Sequence, residues 1–215
     1  VGPKEELKEN GIECHLDAPQ VGKNLEDHLG ATFFCKPAKK DIGATTAARA
    51  QALPWELKSL HSTSSADATL YYTTDASKKQ EPERGPDGQI CIMSSHADAS
   101  HFKTNLGMTD EADFYKEHYD KPDAQGALMV PMLQRLYSKG TISLRSKDPF
   151  DKPKIDPNYF DDQRDIDRMI ALLKKAVELS ETPAMKEVFS SVALPSKLLE
   201  KHQGECTDAF WEDYA

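Results

Sequence analysis

Two histidines, His96 and His101, bracket the stretch HADASH, and Ser94 and Ser95 precede the first of them. Histidines are metal ligands and general bases, so the pair is the first place to look for chemistry. The spacing is against it. A separation of five does not put both rings on one helical face as four would, and the chain holds no H-E-x-x-H. Ser95 and His96 are adjacent, and neighbours in a strand point to opposite faces, so they cannot form a nucleophile–base pair there. No G-x-S-x-G elbow is present. The acids Asp161, Asp162, Asp165 and Asp167 form a second cluster. They coincide with the start of a helix, where capping and the helix dipole give carboxylates a structural task, and no calcium-type loop surrounds them. A third group is Asn24, Asp27 and His28 within VGKNLEDHLG, residues 21–30. Asn and Asp close turns by bonding nearby amides, so a locked turn is the simplest reading. On side-chain chemistry alone the chain has no catalytic set and no metal site.

The elements that must carry these residues read as follows. Residues 3–10 form a short helix, with Pro3 at its start and Gly11 able to close it. No strand pattern fits 21–30. ATFFCKP (31–37), ATLYYTT (68–74) and QICIMSS (89–95) read as strands, the last with Cys91, Met93 and Ser95 on one face. Residues 44–60 and 110–119 read as helical, and 75–88 as an exposed loop. ALMVPMLQRLY (127–137) and TISLRS (141–146) are expected to pair as a hairpin turning at Ser138-Lys139-Gly140. The three prolines of 148–160 predict an irregular extended run. Ile166, Met169, Ile170, Leu173, Ala176, Val177 and Ser180 form the stripe of one amphipathic helix, capped by Asp161 or Asp162 and ended by Pro183. Short helices follow at 195–202 and 207–214. Strands joined by hairpins with flanking helices predict an α+β fold with a mostly antiparallel sheet, not a doubly wound parallel one.

Composition narrows the function classes. The 215 residues carry a formal charge of −9, which disfavours nonspecific nucleic-acid binding and anionic membranes. No apolar run reaches the ~18–20 residues of a membrane span. Hydrophobic residues make up 38 %, a polar chain that has large exposed loops or leans on something else. The first residues, Val-Gly-Pro, lack an initiator Met and a signal-peptide profile, which predicts a processed product or an excerpt. Cys14, Cys35, Cys91 and Cys206 form no C-x-x-C pair; free thiols and disulfides both stay open.

The order of short motifs adds a resemblance. Val1-Gly2-Pro3, Glu6-Leu7 and Gly11-Ile12 resemble the tail of S-G-V/I-G-P-x-x-x-L-x-x-x-G-I in the glucose–methanol–choline (GMC) flavoprotein oxidoreductases. Residues 21–28 resemble that family's V-G-x-N-L-Q-D-H, with Glu26 for Gln. Residues 138–149 resemble S-R-G-x-I-x-L-x-S-x-D-P, with Lys139 for Arg and Leu136 where Pro is usual. Residues 153–160 resemble P-x-I-x-P-N-Y-L/F, and Asp165 with the helix after it also fits. The ending, Cys206 through DAFWEDYA, looks most like the arthropod glucose-dehydrogenase-like branch.

That resemblance implies an internal fragment. The family's glycine-rich FAD loop would lie upstream of Val1, and its catalytic His downstream of Ala215. Residues 1–30 would be a remnant of the FAD-binding domain and its crossover, 31–190 a substrate-binding domain with a sheet of about six antiparallel strands, and 191–215 a return segment toward missing flavin and catalytic parts. The parent would oxidise a CH–OH group of an alcohol or sugar, passing hydride to flavin N5 while the missing His takes the proton. The resemblance places Asn24, Asp27 and His28 near the flavin. It makes Cys91, Met93, Ser95, Met132 and Gln134 the substrate-pocket candidates, and it is compatible with secretion. The fragment itself is expected to retain no FAD, bind no metal and catalyse nothing; its partners would be the substrate and the missing flavin-domain segments. The competing expectation is a non-catalytic binding or antigenic domain derived from such a protein.

Overall fold

The computed structural model describes residues 1–38, 68–93 and 126–215. The helices expected at 44–60 and 110–119, the His96/His101 pair, Ser94 and Ser95 lie outside the described residues. The chain divides into two compact units: residues 1–29 with 135–167, and residues 30–134 with 168–215.

The first unit opens with α1 (Lys4–Glu9), which carries Glu5 and Glu6 in its first turn and ends at Gly11, φ +68°. A three-stranded sheet follows in the order β1 (Lys23–Leu25), β6 (Gly140–Ser143), β7 (Lys154–Asp156), all antiparallel. The strand β1 corrects the expectation that 21–30 holds none. The pattern is hidden because Asn24 sits at a register irregularity with φ +58°, so the three residues show no alternation. Glu6 reaches from α1 to accept the Leu144 backbone N–H at 2.6 Å. Strand β7 interrupts the irregular run expected over 148–160.

The second unit holds a five-stranded antiparallel sheet in the order β3 (Ala68–Tyr72), β4 (Gly88–Met93), β5 (Ala127–Leu133), β2 (Phe33–Pro37), β8 (Phe189–Ala193). The fold is therefore α+β with antiparallel sheets. The described strands are split five and three, where a sheet of about six was expected. The hairpin expected between 127–137 and 141–146 does not form: β5 belongs to the five-stranded sheet and β6 to the three-stranded one. The physical reason is the fate of the intervening amides. Tyr137 and Ser138 donate their N–H groups to the Asp165 carboxylate instead of to a partner strand.

Residues 75–88 are not a simple loop. Thr74 caps α2 (Asp75–Gln80) by accepting the Ser77 N–H at 3.2 Å, and a 3-10 turn follows at Pro82–Arg84. The long helix α3 (Gln163–Ser180) starts where Asp162 accepts the Arg164 N–H at 3.0 Å. Its buried stripe is Asp165, Arg168, Met169, Leu172, Leu173, Ala176 and Ser180, rotated from the expected one because two charged residues belong to it. Then come α4 (Pro183–Val188) and strand β8, neither anticipated, and α5 (Ser196–Lys201) and α6 (Asp208–Tyr214), both anticipated.

The register fixes the two faces of the large sheet. Phe33, Cys35, Ile90, Met129 and Leu133 share one face and are all buried. This is the helix-covered face. Phe33 stacks on Tyr214 with centroids 5.0 Å apart and meets Trp211 edge-on at 6.2 Å, while the Leu172 side chain closes on Gly88. Burial at that face pushes the Cys35 thiol up to about 12 and raises the Tyr214 phenol, whose hydroxyl donates to the Thr32 carbonyl at 2.9 Å.

Candidate functional site

The opposite face of the five-stranded sheet collects three of the pocket candidates. Cys91 pairs with Val130, Gln89 with Met132 and Met93 with Leu128 across the β4–β5 ladder. Directly opposed residues share a face, so Cys91, Met93 and Met132 stand together with Gln89 and Val130. On the other side Cys91 pairs with Thr69, and Gln89 with Tyr71. The face is thus apolar at its centre and carries hydroxyl and amide groups at its β3–β4 edge. Gln89 Nε2 donates to Cys91 Sγ at 3.0 Å, and Thr69 Oγ1 lies 3.6 Å from the same sulfur. Thr69 and Tyr71 are exposed, Gln89, Met93, Val130 and Met132 are half-buried, and Cys91 and Leu128 are buried.

Met132 sits over the Gly30 backbone. Gly30 and Met132 form a β-bridge, Ala31 donates to the Pro131 carbonyl at 3.1 Å, and a Cβ on Gly30 would lie 2.7 Å from Met132 Cγ. Gln134 lies one residue past β5. Its backbone N–H donates to the Asp87 carbonyl at 2.9 Å, and its Nε2 is buried with no hydrogen-bond partner among the described residues. Ser95, the remaining pocket candidate, is outside the described residues. Thr69, Tyr71 and Val130 were not singled out from sequence, because only the cross-strand register brings them to Cys91; Gln89, two residues before Cys91 in β4, shares its face by alternation and was missed.

The β3–β4 connection is held by a buried charge set. Asp87 accepts from the Thr74 backbone N–H at 2.8 Å and the Thr74 hydroxyl at 2.6 Å, and Arg168 Nε lies 3.4 Å from Asp87 Oδ2. Glu81 takes Arg168 at 3.4 Å and Arg84 at 2.8 Å. Asp87, Thr74 and Arg168 are all buried, so the network fixes where β4 begins.

In the first unit Asn24, Asp27 and His28 are exposed and do not converge. Asn24 Nδ2 donates to Gln20 at 3.2 Å. Asp27 accepts the His28 backbone N–H at 2.8 Å and the Tyr159 hydroxyl at 3.1 Å. Burial first, and then that bond to a carboxylate, raise the Tyr159 phenol. Glu26 forms an ion pair with Lys139, whose Nζ also donates to the Leu136 carbonyl at 3.2 Å. Two of the positions that depart from the GMC-like motifs, Glu26 and Lys139, thus answer each other, and the third, Leu136, is buried.

Among the described residues no group of three His, Cys, Asp or Glu side chains could hold a metal ion, and no helix is long and apolar enough to cross a membrane. All four cysteines are free thiols. The sequence has no glycine-rich phosphate loop; Asn24 Nδ2 is engaged by Gln20, and the two Asp27 carboxylate oxygens by the His28 N–H and the Tyr159 hydroxyl.

Comparison with known proteins adds the context. The family model described as GMC oxidoreductase matches residues 137–214. An alcohol dehydrogenase [acceptor] of Pseudomonas putida is 29 % identical over 197 residues, 91 % of this chain and 33 % of that protein. A pyranose dehydrogenase of Agaricus xanthodermus is 28 % identical over 91 % of this chain and 32 % of its own length. The chain spans about a third of the length of the curated relatives it matches. Among solved structures, a variant of Aspergillus oryzae formate oxidase, described by the modification of its FAD, superposes with a TM-score of 0.69 at 19 % identity, covering 100 % of this chain and 38 % of that one. These relatives are bacterial and fungal, and they lend the expected arthropod branch no support.

Proposed function

We propose that this chain is the substrate-binding third of a longer FAD-dependent oxidoreductase that oxidises a CH–OH group of an alcohol or a sugar. The observation that carries the reading is the face of Cys91, Met93 and Met132, edged by Gln89 and Thr69, opposite the sheet face that Leu172, Trp211 and Tyr214 cover. It occurs in a chain similar over 91 % of its length to an alcohol dehydrogenase and to a pyranose dehydrogenase. An apolar floor with a few amide and hydroxyl groups at one edge suits a ligand with a carbon skeleton and one or more hydroxyls.

On this reading residues 1–30 belong with the flavin-binding part, 31–190 shape the pocket and 191–215 lead back toward the catalytic part. Asn24, Asp27 and His28 hold a turn close to the flavin, and Gln134 continues the wall past β5. The flavin and the catalytic base are supplied by polypeptide outside residues 1–215. This chain excludes water, orients the alcohol and selects among alcohols by fit. The isolated chain is inactive.

The test is direct. Residues 1–215, purified and mixed with FAD, should give a colourless protein after gel filtration and no alcohol-dependent dye reduction. Retained flavin with turnover would overturn the assignment of the flavin site and base to other segments.

A further inference from the structure

The sheet face of Cys91, Met93 and Met132 has a polarity pattern that narrows its ligand. Register adds Val130 opposite Cys91, Leu128 opposite Met93, and Phe34 opposite Leu128. Across β4, β5 and β2 these side chains offer hydrocarbon and sulfur, with no oxygen or nitrogen among them. Around Cys91 the polar side chains are Gln89, two residues before it, and Thr69, directly opposite in β3, the outermost of the described strands. Lys36 and Ser191, cross-strand partners at the far end of the same face, are exposed.

Gln89 is half-buried and stands opposite Met132. Its Nε2 donates to Cys91 Sγ at 3.0 Å. That bond fixes which end of the amide is left over: Oε1 accepts no hydrogen bond among the described residues and is an acceptor at the rim of the apolar centre. The strands that carry it are pinned. Asp87, two residues earlier, is held through its carboxylate by Thr74 and Arg168, and its carbonyl takes the Gln134 N–H at 2.9 Å. The pairing of Gln89 with Met132 is thus anchored at the start of β4 and the end of β5.

Resting on the proposed function, we infer that this face selects an alcohol whose skeleton is apolar and aromatic, and that Gln89 is its specificity-determining residue, Oε1 accepting the one further hydroxyl that such a skeleton carries. The sulfur atoms of Cys91, Met93 and Met132 favour an aromatic ring, since polarizable sulfur packs well against ring edges and methionine adapts to their shape. A pyranose carries hydroxyls around its whole ring. Each one set against Met93, Val130 or Met132 loses water and gains no partner, which lowers kcat/KM about tenfold to a hundredfold. A hydroxyl set at Gln89 keeps a partner.

Flavin reduction in the full-length product of the same gene tests this, with kcat/KM measured for benzyl alcohol, its three ring-hydroxylated isomers and D-glucose. Benzyl alcohol should exceed D-glucose by about a hundredfold or more, and the best hydroxybenzyl alcohol should exceed benzyl alcohol by about tenfold. In Gln89→Leu that second ratio should fall to about one, and because it is taken within one variant it is insensitive to loss of folded enzyme. D-glucose equal to or better than benzyl alcohol would overturn the inference and leave the proposed function standing. So would a hydroxybenzyl preference that is absent from the wild type or unchanged in Gln89→Leu. A product whose flavin no CH–OH compound reduces would defeat the proposed function and the inference with it.

Discussion

The carboxylate of Asp165, buried at the start of α3, accepts the backbone N–H of Ser138 at 2.8 Å and that of Tyr137 at 2.9 Å. Ser138 returns the contact, its hydroxyl accepting the Asp162 N–H at 3.1 Å. This reciprocal clasp ends β5 and forbids the hairpin. Asp165→Asn keeps the shape but turns an N–H donor toward amides that need an acceptor. It should lower stability by about 1–3 kcal/mol, read as a fall in the urea midpoint. An unchanged midpoint would show that the clasp is not what separates β5 from β6.

Arg168 is buried between Asp87 and Glu81. Arg168→Met fills the volume but leaves Asp87 a buried carboxylate without its cation. The loss should be about 3–5 kcal/mol, measured by chemical denaturation. A loss under 1 kcal/mol would mean that the Thr74 bonds alone hold Asp87.

Gly22 has φ +77°, and a Cβ there would lie 2.1 Å from the Ile142 carbonyl oxygen. Gly11, at φ +68°, has open space around it. Gly11→Ala should therefore cost about 1 kcal/mol for backbone strain alone, and Gly22→Ala about 1–3 kcal/mol more for the clash with backbone. Equal midpoints for the two variants would contradict the close approach of β1 to β6.

Asp213 is held below its ordinary pKa by hydrogen bonds from Lys201 and then from His202, the latter at 2.5 Å. A depressed carboxylate contributes stability that is present above its unfolded value of about 3.9 and is lost as pH falls through the folded value. The pairing of α5 with α6 should thus weaken only below about pH 4. In melting curves taken from pH 6 downward, Asp213→Asn should be less stable than wild type at pH 6 and approach it at low pH. A constant gap at all pH values would exclude the linkage.

The parts of this structure legible in the sequence are those set by local chemistry. β-branched and aromatic runs marked β2, β3 and β4, and Pro3, Gly11, Asp162 and Pro183 marked helix ends. What escaped depends on residues far apart in the chain. Nothing near Tyr137 says that its amide belongs to a carboxylate 28 positions on. Arg168 and Asp165 look like solvated charges until partners are placed around them, so the true stripe of α3 was displaced. Asn24 hides β1 by its left-handed φ. Alternation alone puts Gln89, Cys91 and Met93 on one face of β4, yet Met132 and Thr69 come to them only through register. The exposed Phe150 gives no signal in sequence at all; a single Phe among prolines and acids reads as core or loop alike.

On the proposed function, residues 1–215 wall the alcohol site of a larger flavoprotein. An anaerobic titration of the full-length gene product with primary alcohols and aldopyranoses, followed by visible flavin absorbance, decides it. A yellow protein that at least one of these compounds bleaches is expected, with Met132→Trp raising the concentration needed for half-bleaching. A colourless product, or a flavin that no CH–OH compound reduces, would contradict it.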